Sequence, residues 1–200
     1  MPATELILSI FGSVALLLWG VRMVRTGMTR AFGPALRQAL AQVKTKGTAF
    51  IAGLGITGLL QSSTATALLL ASFAGRGLIA LPIALTMMLG ANVGTTLAAQ
   101  VFSFPIVWLW ALLVGAGVFA FMAAEGDRIR AVARIGIGMG LMLLSLYHLG
   151  IAAQPLRESQ TFASVLAGLA GDPLFGFALA SAATWLMHSS LTMVLLVMAL

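Results

Sequence analysis

Charged residues are absent from most of this chain, and its few polar clusters interrupt long apolar runs. Leu6 to Val21 is apolar and uncharged, with Glu5 before it and Arg22 and Arg25 after it. Gly47 to Gly75 carries no charge between Lys46 and Arg76, and residues 77–124 are again uncharged, interrupted at Ser103-Phe104-Pro105. A further apolar segment runs from Ile135 to Leu156. Runs of this length predict membrane-spanning helices. Inside them lie two polar knots, one from Thr57 through Gln61, Ser62 and Ser63 to Thr66, the other from Thr184 through His188, Ser189 and Ser190 to Thr192. Polar groups in lipid are costly unless neighbouring helices or a ligand satisfy them.

The stretch 47–75 admits two readings. It is one long tilted helix, or a re-entrant hairpin whose legs of about 14 residues reach roughly 20 Å each. Legs of that length fall short of an apolar core of about 30 Å, which puts Gln61-Ser62-Ser63 at the tip, near mid-membrane. Charge separates the readings. If the hairpin does not cross, the cations from Arg22 to Lys46 share a side with Arg128, Arg130 and Arg134, and only Arg157 lies opposite. If it crosses, they split. The positive-inside bias favours the hairpin, with the N-terminus outside.

Composition agrees. Of the residues, 60% are hydrophobic and only 8% charged, with a mean hydropathy of +1.07, whereas soluble domains run near 25% charged. The pI of about 11.5 does not indicate nucleic acid. Six of the eleven Lys/Arg fall between Arg22 and Lys46, beside an apolar span, with Gly33-Pro34 as an expected break in a short cytoplasmic segment. No basic run is interleaved with aromatics, which argues against nucleic-acid binding. A cleaved signal peptide carries its positive charge before the apolar stretch, not after it. With no cysteine, disulfides, thiolate nucleophiles and Cys-ligated metals are excluded.

The chain repeats itself. Leu141 to His148 aligns with Leu16 to Met23 at an offset of 125, and the second Ser-Ser pair follows the first at 127. An odd number of crossings per repeat makes the second copy inverted, a common plan of secondary transporters. The expected organisation is an all-α polytopic membrane protein. Residues 1–124 form a first repeat (hairpin 47–75, broken span 78–101), and 131–200 begin a second, incomplete one with its knot at 184–192.

Gly53-Leu-Gly55-Ile-Thr-Gly58 matches a dinucleotide-binding pattern, yet no acidic residue occurs between Glu5 and Glu125, so close packing explains the glycines better. Serine nucleophiles need a base and an orienting acid; no intramembrane carboxylate exists, and an enzyme is not expected. The serines and threonines either bond back to their own helix or join helices, or they line a site; their pairing at a fixed offset favours the site. Gly90-Ala-Asn92-Val-Gly94-Thr95-Thr96 reads as an unwound segment offering oxygens to Na⁺, or as a small-residue packing face. His148 is most simply a satisfied polar residue near a span end.

Gln61-Ser62-Ser63-Thr64-Ala65-Thr66 followed by Gly90 to Thr96 resembles the type II sodium–phosphate cotransporter family, whose repeats carry a Gln-Ser-Ser signature and then a Gly-x-Asn-x-Gly-Thr segment. The start, Gly20 to Met23 through Gly27-Met28 to Gly33, resembles bacterial members. The likeness covers residues 11–103 well and 134–200 more loosely. Two departures stand out: His188 replaces Gln and Leu191 replaces Ser or Thr in the second copy. A second Gly-x-Asn-x-Gly-Thr, at the same offset, would fall beyond Leu200.

The resemblance implies Na⁺-coupled import of inorganic phosphate by alternating access, in the inner membrane. Gln61, Ser62, Ser63, His188, Ser189 and Ser190 are the candidate phosphate ligands. Thr57, Thr64, Thr66, Asn92, Thr95, Thr96 and Thr184 are the candidate sodium ligands. No cofactor is expected beyond Na⁺ as coupling ion. The partners implied are phosphate, sodium, the lipid bilayer, a PhoU-like regulatory domain or protein, and another copy of the chain. The alternatives are a non-transporting membrane subunit or truncated regulator, and a carrier of another small oxyanion.

Overall fold

A computed structural model describes residues 3–41, 43, 45–102, 104, 106 and 108–199. They form helices joined by short connections, as in an all-α polytopic membrane protein. Three of these helices are long and apolar enough to cross a membrane: Thr4–Ala35, Leu81–Phe102 and Asp127–Pro155. A fourth span is reached if Pro173–Met187 and Ser190–Ala199, bent by 120° at their junction, are taken as one.

Helix α1 runs from Ala3 to Ala41 without interruption, straight through Gly33-Pro34, where the sequence predicted a break. Pro34 removes one backbone hydrogen bond, to the carbonyl of Arg30. Arg30 and Pro34 are both exposed, so solvent can reach that carbonyl and the helix continues.

The most extensive packing joins α1 to α6 (Asp127–Arg157). Gly20 lies against Gly138 and Met142, and Gly27 against Ala131 and Ile135. Rising numbers on one helix meet falling numbers on the other, so the two run antiparallel. A Cβ on Gly20 would stand 2.8 Å from the Gly138 carbonyl oxygen, and one on Gly138 would stand 2.7 Å from that of Gly20. Only mutual glycine permits this approach, the small-residue packing that lipid-embedded helices rely on. Helix α5 (Leu109–Ala123) packs on the other flank of α6.

Helices α2 (Lys46–Leu60) and α3 (Ser63–Gly75) form the expected hairpin. Its legs of 15 and 13 residues are about 20 Å long at 1.5 Å per residue. The following helix, α4 (Leu81–Phe102), lies parallel to α2: Phe50 meets Gly90, and Leu54 and Gly58 meet Gly94. The chain therefore returns on α3 to the side where α2 began. There Ile79, just before α4, joins one core with Ala49 at the start of α2.

Helix α4 corrects a second expectation. It is continuous through Gly90 to Thr96, which was read as an unwound part of a broken span. Gly90 and Gly94 are instead contact points, where an added Cβ would run into the carbonyl oxygens of Phe50 and Leu54. Two glycines four apart make a groove on a regular helix as readily as they loosen one, and here the groove receives α2. The break expected at Ser103-Phe104-Pro105 includes Ser103 and Pro105, which lie outside the described residues. Helices α7 (Gln160–Gly171), α8 (Pro173–Met187) and α9 (Ser190–Ala199) complete the chain. Leu191 and Leu195 of α9 enter a core with Leu17, Val21 and Val24 of α1 and Met142 and Leu143 of α6.

Gly90→Ala should lower the stability of the detergent-solubilised protein by about 1–3 kcal/mol, the usual range for overpacking. Gly55→Ala, with nothing within 4 Å of an added Cβ, should be neutral or stabilise by up to about 1 kcal/mol through helix propensity. Thermal unfolding monitored by circular dichroism compares the two, and equal shifts would refute the contact.

Candidate functional site

The hairpin turns in two residues. Gln61 takes the left-handed conformation at φ 49°, and its N–H donates to the Thr57 carbonyl at 2.7 Å. Ser62 is extended and caps α3, its hydroxyl accepting from the Ala65 N–H at 3.2 Å. An apolar residue at Ser62 would leave that N–H unsatisfied, which explains a serine here. The legs are clasped by Thr57 Oγ1 donating to Thr66 Oγ1 at 2.8 Å, and Thr66 Oγ1 in turn donates to the Ser62 carbonyl at 3.1 Å. Both threonines are fully buried, at 0% and 1% exposure. Thr57 and Thr66, expected as sodium ligands, thus hold the hairpin closed.

One group in this knot lacks a partner. Gln61 is 7% exposed, and its Oε1 is buried without a hydrogen bond. Leaving a buried carbonyl unpaired costs about 1–3 kcal/mol. The unsatisfied atom is an acceptor, so it suits a cation or a donor. Turned over about its last torsion, the same amide would offer Nε2 to an anion.

The second knot repeats the first at an offset of 127. Asp172 caps α8 as Thr45 caps α2. His188 is left-handed at φ 50°, matching Gln61. Ser189 accepts from the Thr192 N–H at 3.3 Å, as Ser62 accepts from Ala65. The clasp differs. Thr184, matching Thr57, donates to its own helix at the Ala180 carbonyl, 2.7 Å away, while Met193 stands where Thr66 would be. Thr192 Oγ1 instead donates to Ser189 Oγ at 2.9 Å.

The two knots share a cavity of about 700 Å³. Ser63 and Thr64 from the first meet Thr184, His188, Ser189 and Ser190 from the second. Gln61 and Ser62, next to them in sequence, are buried and do not line it. Asn92, Thr95 and Thr96 do not line it. Asn92 and Thr96 are exposed, and the hydroxyls of Thr95 and Thr96 bond back to the carbonyls of Ala91 and Asn92. With α4 unbroken, the carbonyls meant for sodium are spent inside the helix. His148 is exposed near the end of α6 and stacks edge-on against Tyr147.

Two residues near the site were given no site role by the sequence reading. Thr192, named there as the end of the second knot, is wholly buried and braces Ser189. Arg25 lines a cavity that also touches His188 and Ser189. Continuing the helical spacing of Trp19 and Arg22 past Val21 would have placed it there.

A chain of apolar helices with paired, capped reversals around one polar cavity has the build of a membrane carrier. Residues 16–150 match the model of the Na+/Pi-cotransporter family, and the chain belongs to that family. It is 41% identical, over 191 residues, to the Escherichia coli K12 protein named "Putative inorganic phosphate export protein YjbB" and to its Salmonella typhimurium counterpart, covering 95% of this chain and 35% of theirs. The Bacillus subtilis protein named "Uncharacterized protein YqeW" is 24% identical over 187 residues, 92% of this chain and 60% of that one. The chain thus spans about a third of the length of the YjbB relatives. No solved structure matches it.

Breaking the clasp should show thermodynamic coupling. Thr66→Val should cost about 1–3 kcal/mol by stranding the buried Thr57 hydroxyl, Thr57→Val should cost less because Thr66 keeps its bond to the Ser62 carbonyl, and the double variant should cost less than their sum. A double-mutant cycle on thermal stability measures this. Gln61→Gly should stabilise the fold by about 1 kcal/mol, since glycine adopts the left-handed conformation without strain, while removing the unpaired amide.

Proposed function

We propose that this chain carries part of a transporter for inorganic phosphate, bound between the two capped reversals and moved by alternating access with sodium as coupling ion. One observation carries the reading: Ser63 and Thr64 face His188, Ser189 and Ser190 across one cavity, in a member of the Na+/Pi-cotransporter family. The serine caps favour an anion. Ser62 and Ser189 accept from backbone N–H groups, leaving each hydroxyl proton for a further acceptor. Helices α3 and α9 begin at the knots, and helix N-termini attract negative charge. Gln61, with its unpaired Oε1, is the best placed residue for Na⁺, and its Nε2 for a phosphate oxygen. Asn92, Thr95 and Thr96 have no part in this version of the sodium site.

The antiparallel packing of α1 and α6 supports an inverted repeat and a common side for the cations. Arg30, Arg128, Arg130 and Arg134 gather around one cavity of about 630 Å³. By the positive-inside bias that end is cytoplasmic, in the inner membrane, with the N-terminus outside. It is also the face for a PhoU-like regulatory partner; self-association belongs to the same proposal. Import follows the inward sodium gradient. Export is the second reading, favoured by the name of the YjbB relatives.

Labelled phosphate flux in proteoliposomes holding the full native chain tests this, with Na⁺ gradients of either direction and K⁺ controls. Ser62→Ala and Ser189→Ala should each lower flux at limiting phosphate at least about tenfold, the loss of one hydrogen bond to a charged group. No flux in either direction from a correctly inserted preparation would favour a non-transporting subunit. Flux abolished by sulfate but indifferent to arsenate would favour another oxyanion.

A further inference from the structure

The second reversal has a wall that the paired-knot picture leaves out. Arg22 and Arg25 lie three residues apart on one face of α1. With Met187, His188, Ser189 and Thr192 they line a cavity of about 570 Å³. Its position is set by packing, since Leu191 and Leu195 of α9 sit in one core with Leu17, Val21 and Val24 of α1. His188 and Ser189 border both this cavity and the one between the knots. The arginines therefore line a cavity that adjoins, through His188 and Ser189, the one lined by Ser63 and Thr64.

Snorkelling to lipid headgroups accounts for Arg22, which is exposed. Arg25 is half-buried, and its Nε is buried with no hydrogen-bond partner, a group that snorkelling leaves unsatisfied. A guanidinium held inside a span is costly unless it meets a counter-charge, and no residue lining this cavity is acidic. Donors predominate here: the guanidiniums, and a Ser189 hydroxyl whose oxygen already accepts twice from Thr192, while His188 adds one ring N–H and one acceptor nitrogen. Two guanidiniums and a hydroxyl donor with no carboxylate among them suit an oxyanion.

We propose that Arg25, with Arg22 beside it, forms a second anion subsite at the α1 side of the second reversal. Phosphate leaving or entering the paired-knot cavity pairs there with a fixed positive charge rather than with sodium. The inference rests on the phosphate reading and deepens it, because it assigns Na⁺-independent phosphate binding to one particular place. Arg22 also borders a cavity with Arg134 of α6, and Arg134 borders the basic one at the end of the two helices. The subsite thus begins a run of arginines from the reversal to that end.

The test uses the full native chain in phosphatidylcholine proteoliposomes. In sodium-free potassium buffer, inorganic phosphate should slow phenylglyoxal modification of Arg25, read by mass spectrometry, at least about fivefold, and Ser189→Ala should weaken the protection. In flux assays Arg25→Gln should raise the half-saturating phosphate concentration at least about tenfold, as expected for losing one charge-assisted hydrogen bond. Arg25→Lys should stay within about threefold. Protection by phosphatidylglycerol but not by phosphate would make the site a lipid contact and overturn the proposal. So would unchanged half-saturation in Arg25→Gln while wild type transports. Absence of wild-type transport would sink the phosphate reading itself. If Arg25→Gln does not fold, the protection of wild type decides.

Discussion

A helix that stops inside a bilayer must satisfy its own ends, because no water does it there. Everything distinctive in this chain follows from meeting that constraint twice. At each reversal one residue turns left-handed and the next caps the new helix with its hydroxyl. The first reversal adds the buried Thr57–Thr66 clasp. With those groups paired, the accounting at the first tip leaves one buried atom over, Gln61 Oε1. That acceptor is the group the proposed ligand would satisfy.

The reversals hold their positions because the helices carrying them meet through glycine. Gly53, Gly90 and Gly94 bring α2 against α4 backbone to backbone, and Gly20 and Gly138 do the same for α1 and α6. Lipid offers no hydrophobic drive for helix association, so close packing has to supply it. This explains the spacing of seven between Gly20 and Gly27 on α1 and of four between Gly90 and Gly94 on α4.

What could be read from residues alone was whatever lipid penalises. Gln61-Ser62-Ser63 in a charge-free run demanded satisfaction, and the side on which the cations fall demanded a returning hairpin. Both are present. The misreadings arose where one residue type serves two ends. Gly90 and Gly94 suit an unwound segment or a groove, and only the arrival of α2 selects the groove. Pro34 breaks a helix where its partner carbonyl is shut away from solvent, yet Arg30 is exposed. Thr57 and Thr66, read as candidate ion ligands, also have a structural part that the sequence reading left out, since nine residues apart across a tight reversal they bond to each other. Arg25 was placed in a short cytoplasmic segment because the span was ended at Val21, whereas α1 continues through it and it lines a cavity with His188 and Ser189 of the second reversal.

Charge is where the two reversals part company. The first offers a carbonyl oxygen and hydroxyls, and no full charge. The second has α1's arginines beside it. In a low-dielectric site an anion and a cation stabilise each other strongly, so under the proposed function phosphate at the first reversal would be held best together with sodium. At the second, a guanidinium can stand in for the ion. A carrier built this way need not bind sodium equally tightly at every stage of its cycle, and the direction of net transport depends on which stage faces which side. An inward sodium gradient drives import only while the ion travels with the anion. Wherever a fixed arginine releases the anion from that partnership, the same scaffold can let phosphate leave down its own gradient. If the proposed pair of sites is right, membership of a cotransporter family and relatives named for export are compatible.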